Sequence, residues 1–376
     1  MTRVLFVMPN WEAPSEVFLR RQMHMLTKAG LLAAVILPYQ HGITSWNHMP
    51  VYSLAQPPRL RYQIKNSIWR KLGLKPPDLL KQFERAVHRT HADTVLIQYA
   101  TLAVALRPVL EALPHRLFIH LHGGDTEHWH DETYRRSLAQ LSQRAILLCA
   151  SEEVRGRLKA WGVEARRCIL KPLGVEVPDV APVHTPTDTI TILFLGRLID
   201  CKSPDRTIQA FELACAQGLQ GQLIIAGDGP LLTMCQLLRE RSPWRDQIRL
   251  LGAVSKEEGD RLRGEADIFT QHAIRGELTG QVEAFGVSIL EAMAAALPVV
   301  TCPVGGIKET VIDGETGIMT TPGSVEEQAA AFVRLARDAE LRREIGLAGW
   351  RRARALYTLE AEERHLIAIL SDEQIR

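Results

Sequence analysis

Two glutamates, Glu283 and Glu291, stand eight positions apart in "VEAFGVSILEAMAAALPVV" (282–300), on either side of Phe285-Gly286-Val287. Glu283 falls in a turn-like stretch, and Glu291 falls inside the apolar helical pattern "SILEAMAA". The N-terminus of such a helix offers free N–H groups and the positive end of its dipole, which suits phosphate oxygens. Carboxylates are poor partners for phosphate and good acceptors for sugar hydroxyls. Acids flanking a phosphate cradle therefore describe a ligand with hydroxyls at both ends and phosphates in the middle, the layout of a nucleotide-sugar. Two exposed helix-cap glutamates would leave the same letters.

Further candidates follow apolar runs. "ITILFLG" ends on Gly196, followed by Arg197 and then Lys202. Glycine lets backbone approach a ligand, while Arg and Lys at a strand end suit a diphosphate. The same two cations also fit a solvated surface. "IIAGDGP" places Gly227-Asp228-Gly229 after another run, and a lone GxG equally fits a plain turn.

These residues need strand ends to hold them. Runs of strand length ("RVLFVMP", "AAVILPY", "TVLIQYA", "LFIHLHG", "AILLCAS") alternate with helical patterns in the first half. "ITILFLGR", "QLIIAGDG", "RLLGAV", "DIFTQHA" and "LPVVTCP" do so in the second. Short continuous apolar strands between helices indicate parallel sheets covered on both faces. The predicted fold class is α/β, with two Rossmann-like domains facing one another across a cleft and ligands at the carboxyl ends of the strands. "EVPDVAPVHTPTDT", carrying Pro178, Pro182 and Pro186, has a linker's composition. The expected boundaries are 1–176 for the first domain, 177–189 for the linker and 190–357 for the second domain. An amphipathic helix at about 358–376 is expected to pack back on the first domain.

Composition narrows the classes. A chain of 376 residues with 46% hydrophobic and 23% charged residues is globular, and a net charge of +2 gives no basic field for nucleic acid. No apolar run approaches the roughly 20 residues that span a bilayer. "MTRVLFVMP" lacks a signal peptide's layout, and six scattered cysteines form no CxxC pair, so a cytoplasmic setting with reduced thiols is expected. One stretch, Arg59 to Lys75, holds six basic residues and no acid, with Tyr62, Ile64, Ile68, Trp69 and Leu72 interleaved. It suits peripheral contact with an anionic inner-membrane surface, or a solvated loop and helix.

The segment "EAFGVSILEAMAAALPVVTCPVGGIKETVIDGETG" resembles the glutamate-x7-glutamate signature of retaining GT-B glycosyltransferases of family four (glycosyl transferases group 1). "FLGRLIDCKSPDRTIQAF", "IIAGDGPLL", "IRLLGAV", "ADIFTQHA" and "ILKPLGVEV" follow in that family's order. "PSEVFLRRQMHML" and "FIHLHGGD" look more loosely like members that build bacterial exopolysaccharide, capsule or O-antigen chains. The resemblance implies transfer of a sugar, with retention, from a nucleoside diphosphate donor (UDP- or GDP-sugar) to a sugar or lipid-linked glycan. It implies no further cofactor and no metal. Arg197 and Lys202 match the pair that neutralises the diphosphate, Gly196 the close-approach glycine, and Gly227 belongs with the donor set. Glu283 matches the acid at the donor sugar's hydroxyls, and the amides of Phe285, Gly286 and Val287 match the loop holding the sugar and distal phosphate. Glu291 matches the acid on the ribose, and Gly252 to Val254 the loop beside the base. His122 matches the first-domain histidine reaching toward the transferred sugar. With Ser15, Glu16 and Asp125 it forms the expected acceptor side. The catalytic group is Glu283, His122, Arg197 and Lys202.

Departures from the family are Ala284 and Ala296, where glycine is usual, and Glu176, where Asp is common. The methyl groups are expected to tighten packing. "PNWEAPSE" replaces the glycine-rich first loop of many members. His120, His122, Asp125, His128 and His130 fall within eleven residues, but their spacing is irregular for zinc. His120 and His122 are expected on one strand face. A sugar-nucleotide epimerase on the same scaffold, a dinucleotide-dependent oxidoreductase and a catalytically silent binder are the alternatives. The oxidoreductase is disfavoured because no GxGxxG follows a strand.

Overall fold

The computed structural model describes residues 2–9, 17–38, 43–54, 79–123, 125, 131–184, 189–372 and 374. Ser15, Glu16, His128, His130 and the basic stretch 59–75 lie outside the described residues.

Two compact units form. The first comprises Met1–Cys149, Arg155–Lys171 and Glu363–Arg376, and the second Ala150–Val154 and Pro172–Glu362. In the first unit the described strands are β1 (Val4–Val7), β2 (Leu32–Leu37), β3 (Ser45–Trp46), β4 (Met49–Ser53), β5 (Thr94–Gln98), β6 (Arg116–Leu121), β7 (Ala145–Cys149) and β8 (Cys168–Leu170). They lie in the order β3-β4-β2-β1-β5-β6-β7-β8. Every pairing is parallel except β3 with β4. The strands β1, β2, β5 and β7 are buried throughout, which is why they read as unbroken apolar runs. Along the last helix, Leu359–Ser371, Leu366, Ile369 and Leu370 enter the first unit's core with Phe6, Leu19 and Phe118. Arg116 fastens the helix end by donating to the carbonyls of Leu370 and Asp372.

The second unit carries β9 (Ile190–Leu195), β10 (Gly221–Ala226), β11 (Ile248–Gly252), β12 (Ile268–Gln271), β13 (Val299–Thr301) and β14 (Ile318–Met319), in the order β11-β10-β9-β12-β13-β14. All pairings are parallel. The order reverses at β9, the place where an open parallel sheet leaves a crevice at its carboxyl edge. One face packs Leu193 and Phe269 against Leu290 and Met293 of the Val287–Ala294 helix, and the other packs Phe194, Phe211 and Phe332. Each such side chain contributes about 1.5–3 kcal/mol on burial.

The expected linker is placed differently. The boundary falls at Lys171/Pro172, and the described part of 177–189 runs along the second unit. The Pro178 carbonyl accepts from Trp350 Nε1 at 3.1 Å, Asp179 pairs with Arg354 at 2.9 Å, and His184 Nε2 meets the Ala295 carbonyl at 2.7 Å. Upstream, Val175 bridges to Thr358 and the Gly174 amide donates to Glu362 at 2.8 Å. Proline stops these residues joining a sheet but leaves their carbonyls free to be held.

Candidate functional site

The second unit's sheet gathers its glycines at one edge. The Gly196 amide donates to Ala226 and the Gly227 amide to Gly252, lacing the ends of β9, β10 and β11 together. At Gly227, φ is +150° and a Cβ would lie 1.8 Å from the Gly196 carbonyl oxygen, so no side chain fits. Gly196 faces Lys202: a Cβ there would lie 3.5 Å from Lys202 Cδ and 3.2 Å from Gln271 Nε2. This is the reversal point between β9 and β12. Gln271 is fully buried, and its side-chain amide has no hydrogen-bond partner among the described residues.

Lys202 ends a short 3-10 turn, Asp200–Lys202, after β9. Asp200 fixes that turn by accepting from the amides of Cys201, Leu278 and Thr279, at 2.9–3.0 Å. The ammonium of Lys202 donates to Glu283 Oε2 at 2.6 Å, with side-chain exposures of 12% and 17%. Glu283 Oε1 accepts the Gly286 amide at 3.2 Å. Burial works to raise the Glu283 carboxyl. The Lys202 charge and hydrogen bond, the Gly286 amide and the Arg197 charge outweigh it and hold the group below its ordinary value of 4.5. Arg197 itself is exposed. Four candidates from two segments thus share one electrostatic neighbourhood.

The helix Val287–Ala294 begins after Gly286, whose φ of 82° is the left-handed conformation glycine adopts without cost. The Phe285 side chain turns inward, 3% exposed and edge-on to Tyr357, so only its backbone is left for a ligand. The segment "LPVVTCPVGG" (297–306) after the helix supports this loop. Gly305 and Gly306 after β13 lie against the Glu283–Ala284 backbone, where added Cβ atoms would fall 1.8 and 2.0 Å from the carbonyl oxygens of Glu283 and Ala284. The Gly306 amide donates to the Glu283 carbonyl at 3.0 Å. These two glycines hold the Glu283 loop, a role the sequence reading missed although the letters were in view.

Glu291 lies on the same helix, its Oε2 3.3 Å from Arg263 Nη1. Arg263, on the helix Lys256–Glu265, was not a sequence candidate. Gly252 closes β11 with φ +69°, and Val254 is partly buried against the core of this unit. Ala296 is buried and holds φ +56°, a left-handed conformation that favours glycine, where it ends the helix with the Leu297 amide returned to the Ala292 carbonyl.

In the first unit, His120 and His122 share a face of β6 with ring centroids 4.1 Å apart. His122 Nε2 meets Gln98 Oε1 at 2.8 Å, Gln98 Nε2 donates to Gln22 Oε1, and His120 Nδ1 meets the same Gln22 oxygen, each at 3.3 Å. Burial, then the His122 and Lys171 charges, lower the His120 pKa well below 6.5, and burial and Lys171 do the same at His122. Asp125 is buried, and its oxygens accept the amides of His122 (2.6 Å) and Thr101 (3.2 Å), a task of loop fixation. Among the described residues no group of three or more His, Cys, Asp or Glu is placed to hold a metal ion. No helix of the described residues is long and apolar enough to cross a membrane.

Residues 179–352, which include the whole Lys202–Glu283–Glu291 constellation, match the family model described as "Glycosyl transferases group 1". This part of the chain resembles that family. A similar curated protein is the amylovoran biosynthesis glycosyltransferase of Erwinia amylovora, 28% identical over 254 residues, which are 65% of this chain and 61% of that one. The chain spans about half the length of several curated relatives it matches. Among solved structures, a sucrose-phosphate synthase from Thermosynechococcus elongatus superposes with a TM-score of 0.77 at 20% identity, covering 97% of each chain. The Anabaena protein HepE, solved in complex with UDP-glucose, gives 0.78 at 18% identity, covering 99% of this chain and 100% of that one. The shared fold is GT-B. The relatives named here include a glycosyltransferase and a synthase, and they lend no support to a sugar-nucleotide epimerase.

Proposed function

We propose that this chain is a group 1 glycosyltransferase that transfers a sugar, with retention of configuration, from a nucleoside diphosphate donor to a hydroxyl of a lipid-linked or growing polysaccharide. The observation that carries the reading is the Lys202–Glu283 pair at the β9 reversal point, beside Gly196 and inside the family-matched residues. The named relative of Erwinia amylovora supports the polysaccharide setting, and the UDP-glucose complex of HepE supports a nucleotide-sugar donor.

In this reading the bond from the anomeric carbon to the distal phosphate oxygen breaks as the acceptor oxygen bonds that carbon on the same face. The acceptor's proton passes to the departing phosphate oxygen. Negative charge grows on the diphosphate, where Lys202, Arg197 and the amides at Gly286 and Val287 stabilise it. Removing one such preorganised donor typically costs about 10²–10³ in rate. Glu283 positions the donor sugar's hydroxyls, and Glu291 accepts from the ribose. Lys202 is the hinge of the account: it holds Glu283 now and gains the diphosphate as a second partner when donor binds. Ser15, Glu16, His122 and Asp125 remain the proposed acceptor side, and residues 59–75 the proposed membrane contact at the cytoplasmic face.

The test is incubation of the full chain with UDP- and GDP-sugars and a membrane extract containing lipid-linked glycans, followed by NMR of the product's anomeric coupling. Transfer with the donor's configuration supports the reading. Inversion, or isomerised donor with no transfer, overturns it.

A further inference from the structure

Gln271 ends β12 fully buried, and neither its Nε2 nor its Oε1 meets a hydrogen-bond partner among the described residues. Its buried neighbours on the chain are paired. Thr270 Oγ1 donates to the Val300 carbonyl at 3.0 Å and accepts from Gln328 Nε2 at 2.8 Å, and His272 Nδ1 meets Gln328 Oε1 at 2.9 Å. The backbone carbonyl of Gln271 is also in use, accepting from Thr301 Oγ1 and from the Ala273 amide, each at 2.9 Å. Leaving a buried amide unpaired is costly, and methionine or leucine would fill the space without that cost. The place of this amide suggests its use. From the point that a Cβ of Gly196 would occupy, Gln271 Nε2 lies 3.2 Å away, Lys202 Cδ 3.5 Å and Lys202 Nζ 3.8 Å. Because residue 196 is glycine, no side chain stands between the amide and the lysine. An ammonium has three donors, and among the described residues this one makes a single hydrogen bond, to Glu283 Oε2 at 2.6 Å.

We propose that Gln271 is a positioning residue for Lys202 in the donor-bound state. The ammonium keeps Glu283, gives a second N–H to the diphosphate and a third to Gln271 Oε1, so two protein acceptors aim it at the phosphate. A half-turn of the amide exchanges Nε2 and Oε1, which are of similar size, and brings the acceptor to the lysine side. Burial favours this role over direct contact with the donor. The amide is covered, whereas the Lys202 side chain is 12% exposed. The residue type fits as well, since a neutral carbonyl supplies an acceptor without setting a second negative charge beside the diphosphate. The inference rests on the reading that Lys202 meets the donor diphosphate.

The test is a double-mutant cycle on the full chain, read by calorimetric affinity for UDP and GDP and by the melting temperature without ligand. Gln271→Met fills the space without polar atoms, and Gln271→Leu repeats the test with a second shape. Without ligand both should melt at or above the wild-type temperature, because an unpaired amide is removed. Affinity for the nucleotide that wild type binds should fall about tenfold, the size of a hydrogen bond to a charged group. In a Lys202→Met background the same substitutions should change affinity by less than about twofold, since the ammonium they act through is gone. An equal fall with and without Lys202 would mean direct contact with the ligand or a packing effect, and would overturn the inference. A lower melting temperature in both variants would overturn it too, by showing the amide already satisfied in the free chain, as by a bound water. If Lys202→Met weakens binding and neither Gln271 variant does, the inference is overturned and the diphosphate reading stands. If Lys202→Met binds as wild type does, or wild type binds neither nucleotide, the diphosphate reading falls and takes this inference with it.

Discussion

Replacing Lys202 by methionine removes one charge of a pair whose N···O separation is 2.6 Å and whose side chains are 12% and 17% exposed. Stripping one partner from a buried pair costs about 3–5 kcal/mol when the other charge is left uncompensated. Here Glu283 keeps the Gly286 amide at 3.2 Å and the field of Arg197, so the expected loss is nearer about 2 kcal/mol. In a domain of this size that lowers Tm by about 4–8 °C. The pH dependence identifies the cause. In the native protein the Glu283 carboxyl lies below its ordinary value of 4.5, so its contribution is present above that value and fades as pH falls through the lower folded one. In Lys202→Met, burial is opposed only by Gly286 and Arg197 and the carboxyl rises. The gap to wild type should therefore be largest near neutrality and narrower at about pH 4, closing only below the lowered folded value. Calorimetry of the full chain at both pH values reads this directly. Lys202→Met/Glu283→Gln, which removes both charges at similar volume, should recover most of the loss. An equal gap at both pH values, or a double variant no better than the single, would refute the reasoning.

Gly227→Ala should cost at least about 3 kcal/mol or prevent folding, because its Cβ falls 1.8 Å from the Gly196 oxygen; a wild-type melting curve would contradict that crowding. Ala296→Gly should change stability by less than about 0.5 kcal/mol, since relief of the left-handed alanine offsets the lost methyl, whereas Ala294→Gly inside the helix should cost about 1.5 kcal/mol. Denaturant titration of the two variants side by side checks the contrast. His120 and His122 are held neutral by burial, so the unfolded chain binds more protons below pH 6.5, and the first unit should lose up to about 1.4 kcal/mol per histidine per pH unit there. His120→Gln should flatten the slope of Tm against pH between 7 and 5, and an unchanged slope would count against neutral burial.

Ten apolar runs in the sequence announce β1, β2, β5, β6, β7 and β9 to β13, because parallel strands buried on both faces need no alternation. The hairpin β3–β4 escaped notice. Its Asn47-His48 turn takes positive φ at both positions without the usual glycine, and Pro50 within β4 argues against a strand until the strand is seen pairing in parallel with β2. β14 has only two residues and no period to detect. In the candidate site, Glu283, Glu291, Arg197 and Lys202 stand out in the sequence by chemical type, since hydroxyls and phosphates call for different partners. The contact of Lys202 with Glu283 was not, because 81 residues separate them and only the order of β9 and β12 brings them together. Arg263 was hidden for another reason: four acids and three cations in ten residues read as a solvated face, and nothing in that pattern marks the cation that turns inward.

The most direct measurement is a crystal structure of the full chain with a non-transferable analogue of the nucleotide-sugar that binds it. The account predicts the diphosphate within hydrogen-bond distance of Lys202 Nζ and Arg197, the sugar against Glu283, and the ribose diol on Glu291. A ligand seated elsewhere, with Lys202 still committed to Glu283 alone, would contradict it.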